Sequence, residues 1–326
     1  MITTVTLNPS FDLTLEVDAL AVGGVSRAGS ERLEAAGKGV NVSRALAAHG
    51  VATRAVAALD PAAAPRYEEL LDASGVLHVI PVAGVLRTNV TIVEPEGVVT
   101  KVNGPGPRYG TRAVQSMLAQ VACALDDTDW VVLSGSLPPG CPDDTYAVLI
   151  REARVRGCRV ALDTEGTPLR LGIAAGPDLV KPNREELQEL TGFPIETLGD
   201  AIRAALELVE IGAGAVLCSL GSGGALLVAG DGVCLHGGVE ALAVESHVGA
   251  GDALLAGFLA AGDVPDEERL RRAVGWGTAA CRLPGTKMPG PGDVIVEEVN
   301  VVATPDLAMP LLAPAPTVLR QMVSER

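Results

Sequence analysis

Positive charge is scarce in this chain of 326 residues: 25 lysines and arginines stand against 40 aspartates and glutamates, a formal net charge of -15. Such a balance repels polyanions, which excludes a general nucleic-acid surface or an anionic membrane surface as partner. Any phosphorylated ligand must then be held by a local cluster of cations. Paired cysteines are missing as well. The six cysteines, at 123, 141, 158, 218, 234 and 281, form no C-x-x-C and lie far apart, which removes a zinc or redox motif and leaves buried reduced thiols. No apolar run reaches membrane-spanning length. A strand pattern begins at once with Ile2 to Leu7, without a basic leader or hydrophobic signal core, so a cytoplasmic location is expected. Internal repeats and long low-complexity tracts are also absent.

What is present is ample material for a core, 48% hydrophobic residues, in a length that suits one large α/β domain or two smaller ones. Short β-rich runs at Trp130–Leu133, Arg159–Asp163, Leu179–Val180 and Ala215–Ser219 alternate with helical stretches at Thr145–Arg156, Arg184–Thr191 and Gly199–Ile211. That rhythm predicts an α/β fold, doubly wound, with a mostly parallel central sheet and helices on both faces. One region breaks it. Thr88–Val93 and Val98–Val102 are β-branched runs joined by Glu94-Pro-Glu-Gly97, while Phe11–Val17 and Val25–Arg32 read as extended. Together, at about 11–32 and 86–103, they predict a small antiparallel sheet standing off the main domain, as a lid over a site, an edge extension or a dimer surface. Residues 1–312 are assigned to the main domain and 313–326 to a loosely held tail. The stretch from Pro284, rich in proline and glycine before a valine-rich run at 294–303, is assigned no chemistry.

The most informative motif is Val248-Gly-Ala-Gly-Asp252, a glycine turn opening an apolar helix. Backbone N–H groups of Gly249, Ala250 and Gly251, together with the positive end of the helix, suit a phosphate. Asp252 repels one, so it serves either as a helix-terminal charge or as a base that takes a proton from an attacking hydroxyl. Gly37-Lys-Gly-Val-Asn41, ahead of a helical pattern at Ser43–His49, offers backbone and an amide to hydroxyls or phosphate, or makes a plain strand-to-helix turn; it is not a P-loop. Asp12 follows the first strand, where open α/β sheets collect ligands, and is either a hydroxyl acceptor or a turn residue. Ser134–Gly140 supplies a rigid loop at the same edge, or is a plain turn. Lys181-Pro-Asn-Arg-Glu-Glu186 places Asn183 and Glu186 at capping-box spacing, and both are also hard oxygen ligands suited to magnesium. Ser219-Leu-Gly-Ser-Gly-Gly224 is a second glycine-rich turn after a strand. Two such turns and one base point to phosphoryl transfer.

With these motifs in this order, residues 2–290 resemble the ribokinase-like carbohydrate kinases of the PfkB type, in particular the phosphosugar branch containing 1-phosphofructokinase and tagatose-6-phosphate kinase. The resemblance implies Asp252 as catalytic base and Gly249 to Gly251 as the anion hole. It implies Asn183 and Glu186 at magnesium, and Lys181, Asn183, Ser219, Gly221, Gly223, Gly224 and Gly251 at ATP. It implies Asp12, Gly37, Lys38, Gly39 and Asn41 at the sugar, with Arg87 and Lys38 answering its existing phosphate. Arg27 matches a lid-borne position that in relatives reaches the partner subunit's site, or is a surface charge. ATP-dependent phosphorylation of a ketohexose phosphate follows, foremost fructose 1-phosphate at its 6-hydroxyl, with tagatose 6-phosphate or fructose 6-phosphate as other substrates. A homodimer through the lid is implied as well, and a catalytically weak nucleotide- or sugar-binding regulator is the reading from another class. Two departures stand out: Ala58–Arg66 contains no glycine where the family has a glycine-rich turn, and His247, read as a neighbour of the nucleotide, replaces threonine or proline.

Overall fold

The computed structural model describes residues 1–71, 75–95, 98–240 and 246–311. The 312/313 boundary, the tail, and Glu96 and Gly97 of the expected hairpin turn lie outside them. Strands β1 (Ile2–Thr6), β8 (Trp130–Ser134), β9 (Arg159–Asp163) and β11 (Ala215–Ser219) send buried residues to both faces of their pleat, so each is covered from both sides. Val5, Val131, Val160 and Val216 enter one core, while Ile2, Val132, Ala161 and Leu217 enter the other.

Helices, most of them amphipathic, cover the two faces. Val114, Tyr146, Leu169, Leu187 and Leu208, from α3 (Thr111–Cys123), α4 (Thr145–Val155), α5 (Gly166–Ile173), α6 (Arg184–Thr191) and α7 (Leu198–Ile211), fill the first core. On the opposite face, α1 (Lys38–Ala48), α8 (Ala250–Ala260) and α9 (Asp266–Cys281) contribute Leu46, Leu255 and Trp276, and α8 is buried along nearly its whole length. Beside them, α2 (Ala64–Leu71) buries Tyr67 and Leu71 against β4 (Thr53–Leu59).

The main sheet runs in the order β14-β13-β12-β11-β10-β9-β8-β1-β4-β5, with β5 at Leu77–Pro81 and β10 at Leu179–Val180. All neighbours from β11 to β5 are parallel. β12 (Ala225–Ala229), β13 (Cys234–Gly238) and β14 (Asn300–Val302) close the other edge antiparallel. The valine-rich run near the end of the chain thus supplies an edge strand. Because the chain winds from β1 outward to β5 and later from β8 outward to β11, the order reverses between β1 and β8, and loops diverge there to leave a crevice at the carboxyl ends.

The second sheet, β3-β2-β6-β7, is built from β2 (Ser10–Val17), β3 (Ala28–Ala36), β6 (Arg87–Val93) and β7 (Val99–Asn103). It corrects the expectation of an antiparallel lid: its central pair, β2 and β6, is parallel. Both strands leave the carboxyl edge of the main sheet, after β1 and after β5, and so point the same way before each turns back antiparallel into β3 or β7. A second correction concerns α1, which begins at Lys38 and not near Ser43. The lysine and asparagine of the glycine motif therefore lie in its first turn.

Helices α8 and α9 approach so closely that a Cβ on Gly257 would stand 2.8 Å from the Arg272 carbonyl oxygen and 2.9 Å from the Trp276 ring. Backbone cannot yield as a side-chain tip can. Gly257→Ala is expected to cost about 1–3 kcal/mol by overpacking, read as a lower urea midpoint at unchanged m-value; an unchanged midpoint would contradict this packing.

Candidate active site

Parallel strands deliver their final residues to one edge, and strand parity decides which face those residues take. On β9, Ala161 enters the core beneath α1 and α8, so Asp163, two residues on, leaves the strand on that same face. The register pairs Leu179 of β10 with Ala161, which sets Lys181 beside Asp163. Asp163 has no exposed surface. Its Oδ1 accepts a hydrogen bond from Lys38 Nζ at 3.0 Å, and its Oδ2 lies 3.4 Å from Lys181 Nζ. Lys38 Nζ is also 3.8 Å from Glu186 Oε1.

Asp252 stands in the first turn of α8, 7% exposed, and accepts a hydrogen bond at Oδ2 from Asn41 Nδ2 at 2.9 Å. Burial, reinforced by the charge of Asp163, pushes its carboxyl up to about 6, against the opposing effects of Asn41, Lys38 and Lys181. Burial also works against the charge of Asp163, but Lys181 and Lys38 outweigh it and hold that carboxyl below the usual carboxylate range. Burial would lower the Lys38 ammonium, yet Asp163, Glu186 and Asp252 hold it above its ordinary value. Two carboxylates with diverging proton affinities thus share one pocket. The one held ionised is an electrostatic fixture, and the one titrating near neutrality is suited to take up a proton.

The glycine turn has the geometry its sequence predicts. Gly249 caps α8 at φ 80°, in the left-handed region, and a Cβ on Gly251 would come 3.2 Å from Lys181 Nζ. Gly251 therefore lets that ammonium group reach the helix start. The glycines of the other motif have a different cause. A Cβ on Gly37 would stand 2.7 Å from a Thr6 methyl carbon, and one on Gly39 2.7 Å from Thr6 Oγ1, so both are demanded by α1 packing onto β1. Thr6 Oγ1 accepts the Val40 N–H at 3.2 Å. The α1 terminus still directs Lys38 and Asn41 into the pocket.

Asp12 lies on the polar face of the small sheet, accepting at Oδ1 from Ser10 Oγ at 2.8 Å and from Asn89 Nδ2 at 2.9 Å. Burial raises its carboxyl, against these hydrogen bonds and the charge of Arg87. Arg87 pairs with Ser10 in the register and donates to the Gly104 carbonyl at 3.2 Å, while its buried Nε–H has no partner among the described residues. Arg27 is not part of this group. It is exposed, one residue before β3, and seven residues of strand, roughly 20 Å, separate it from the position facing Asp12.

Asn183 and Glu186 form a full capping box on α6: Asn183 Oδ1 accepts the Glu186 N–H at 2.7 Å, and Glu186 Oε2 accepts the Asn183 N–H at 2.9 Å. The Asn183 oxygen is thereby spent on the helix, and Glu186 keeps Oε1 toward Lys38. Ser219 bridges to Asn183 in parallel fashion, so the Ser219–Gly224 turn adjoins the cap. Gly221 and Gly224 adopt φ values of 61° and 81°, which makes this a true glycine turn, with Gly223 between them. The glycine-free segment after β4 closes on Asp60, whose carboxylate accepts the N–H groups of Ala62 and Gly84 at 2.8 and 3.1 Å. His247 is exposed.

The model of the pfkB family of carbohydrate kinases matches residues 5–291. The chain belongs to that family. A 1-phosphofructokinase of Xanthomonas campestris pv. campestris is 41% identical over 288 residues, covering 86% of this chain and 90% of the relative. Phosphofructokinase-2 from Escherichia coli, solved in complex with substrates and products, superposes with a TM-score of 0.82 at 30% identity, covering 90% of this chain and 96% of that one. The ribokinase of Arabidopsis thaliana, at 21% identity and a TM-score of 0.72 over 90% of this chain and 96% of that one, shares the fold. As a member of the pfkB family the chain is a sugar phosphotransferase with a ribokinase-like fold. Among the described residues no helix is long and apolar enough to cross a membrane.

Two groups in this pfkB site were not singled out by sequence motifs. Asp163 was hidden as the end of an apolar strand, its only signal being an acid closing Val-Ala-Leu at a carboxyl edge. The other is a tie between the small sheet and the pocket. Thr286 Oγ1 donates to Glu34 of β3 at 2.8 Å, and Arg44 of α1 donates to the Thr286 carbonyl at 3.3 Å and to Asn41 Oδ1 at 3.5 Å. No local pattern marks these residues, since their partners lie far off in sequence.

Proposed function

We propose that the chain is an ATP-dependent 1-phosphofructokinase, converting fructose 1-phosphate to fructose 1,6-bisphosphate, with Asp252 taking the proton of the 6-hydroxyl as it attacks the γ-phosphorus. The single observation that carries the chemistry is the buried Asp252, held by Asn41 at the mouth of a glycine turn with its carboxyl pushed up to about 6. A base with this affinity is ionised at neutral pH and still gains a proton readily as the hydroxyl attacks. The choice of fructose 1-phosphate rests on several 1-phosphofructokinase relatives, from the 41% identity given above down to 31% in that of Haemophilus influenzae.

In this reading the sugar lies between the two sheets. Asp12 accepts hydroxyl hydrogen bonds, and the N-terminal turn of α1 faces the ring. The unpartnered Nε–H of Arg87 supports a role at the existing phosphate. The N–H groups of Gly249 to Gly251 receive the transferring phosphoryl group, while Lys181 and the Ser219–Gly224 turn hold the nucleotide.

Charge favours a metal here. Asp252, Asp163 and Glu186 set three carboxylates against the ammonium groups of Lys38 and Lys181, so with Asp252 ionised the pocket does not by itself attract a nucleoside triphosphate. Among the described residues no three His, Cys, Asp or Glu side chains gather into a protein-only metal cage. That fits magnesium, which keeps several waters and takes one or two carboxylates with the phosphates. Glu186 Oε1 is the donor left for it, and Asn183 acts by fixing Glu186 through the cap. Magnesium bound there would supply positive charge against the β- and γ-phosphates.

A dimer through the lid is supported by the sheet's other face, where Leu13 and Leu15 of β2, Leu33 of β3 and Val90 and Ile92 of β6 are only half-buried. In such a pair Arg27 would take the role that the resemblance gives it, at the partner subunit's site. Sedimentation equilibrium is expected to return twice the chain mass; a monomer at micromolar concentration argues against it.

Asp252→Asn is expected to lower turnover by on the order of 100-fold or more while leaving sugar-phosphate affinity nearly unchanged, and the wild-type rate is expected to fall as pH drops through about 6. Retained turnover removes Asp252 as base. ADP release measured across fructose 1-phosphate, fructose 6-phosphate, tagatose 6-phosphate and ribose tests the substrate, and preference for another sugar replaces the assignment. Arg87→Ala is expected to raise KM for the phosphosugar roughly 10- to 100-fold with little change for ATP. Equal effects on both substrates would contradict its role.

A further inference from the structure

Only four of the 25 cationic side chains are lysines, at 38, 101, 181 and 287, and the other twenty-one are arginines. Two of the four meet at one carboxylate. Lys101 and Lys287 are exposed, whereas Lys38 and Lys181 converge on Asp163 at 3.0 and 3.4 Å. Lys38 opens α1, which also carries Asn41, the hydrogen-bond partner of Asp252. Lys181 follows β10 directly, two residues before the α6 cap, and lies against Gly251 of the glycine turn. Asp163 therefore joins the sugar-side helix, the nucleotide-side strand and the anion turn.

We propose that Asp163 is a positioning residue for phosphoryl transfer: its two oxygens hold the ammonium heads of Lys38 and Lys181 at the glycine turn, keeping both cations where the transferring phosphate arrives. This rests on the kinase reading above. Geometry explains why lysine occupies both places. An ammonium group on a flexible stem is a compact point charge that can exchange a carboxylate for a phosphate oxygen by a small rotation, whereas a guanidinium fork would commit both nitrogens to Asp163. Fixed at the end of a central strand and fully buried, Asp163 costs no rearrangement when the phosphate comes. Its charge also acts on Asp252, around which the charged neighbours are Asp163 from β9, Lys38 from α1 and Lys181 from β10, with the neutral Asn41 donating.

Two measurements test this, one of them independent of turnover. In the nucleotide-free chain, ammonium 15N spectra of four lysines are simple. Wild type is expected to show two exchange-protected signals, assigned by Lys38→Arg and Lys181→Arg, and Asp163→Asn to lose both. In pH profiles of kcat/KM, Asp163→Asn is expected to move the acid limb down by roughly one pH unit and to lower kcat 10- to 100-fold, while Lys38→Gln moves the limb up. Shifts of opposite sign at one base are not produced by a general loss of structure. Unchanged ammonium signals, or activity lost with the acid limb unmoved, would overturn the proposal. Should Asp163→Asn fail to fold, wild type without two protected signals overturns it, as does an unmoved limb in Lys38→Gln. If wild type phosphorylates none of the sugars, the kinase reading falls, and the ammonium spectra alone decide whether Asp163 holds the two lysines.

Discussion

Burying an ionised carboxylate is among the most expensive things a fold can do, costing several kcal/mol after relaxation unless cations and hydrogen bonds answer it. Asp163 is such a group, with no exposed surface, and Lys38 and Lys181 answer it. Much else in the site follows from that requirement. Lys38 reaches Asp163 only if α1 starts directly after the small sheet, which places Asn41 one turn later against Asp252. Lys181 reaches it only if β10 lies beside β9 in the observed register, which sets the α6 cap and Glu186 at the same edge. The charge of Asp163 in turn helps keep Asp252 from ionising as easily as a free carboxylate.

Close approach is the second constraint. The helix that carries Lys38 and Asn41 lies against β1 because Gly37 and Gly39 leave room for Thr6, and α8 lies against α9 because Gly257 leaves room for the Arg272 carbonyl. These glycines serve rigidity, whereas Gly249 and Gly251 serve access, one through its left-handed backbone and the other by admitting the Lys181 ammonium group. Glycine in this chain thus does two unlike jobs at neighbouring places. The small sheet is tied into the same framework through Glu34, Thr286 and Arg44, so its position and that of Asn41 are linked by hydrogen bonds.

Much of this was legible from residues alone. Buried strands are legible as short apolar runs because a parallel sheet is covered on both faces, and Arg159–Asp163, Leu179–Val180 and Ala215–Ser219 lie where those runs place them. The capping box at Asn183 and the glycine turn before Asp252 depend on contacts within four residues, so spacing sufficed to predict both. The start of α1 lies earlier than the pattern suggests because Gly39, Val40, Asn41 and Val42 are weak helix formers, and packing onto β1 overrides their propensity. The parallel pair in the small sheet was not legible because a hairpin pattern reports only the neighbour in sequence. The β2–β6 pairing joins residues more than seventy positions apart.

Local chemistry, short-range turns and the class of fold were therefore determined by the sequence, since each depends on a residue and its near neighbours. Where the charges meet was decided by the tertiary structure. Asp163, read along the chain, is an acid at the end of an apolar run; its meeting with Lys38, 125 residues away, and with Lys181 depends on strand order and register. Folding then makes two ordinary carboxylates unlike: Lys181 and Lys38 keep Asp163 charged against its burial, while burial and the charge of Asp163 raise Asp252 to about 6, because the cost of charge depends on the surroundings that folding assembles.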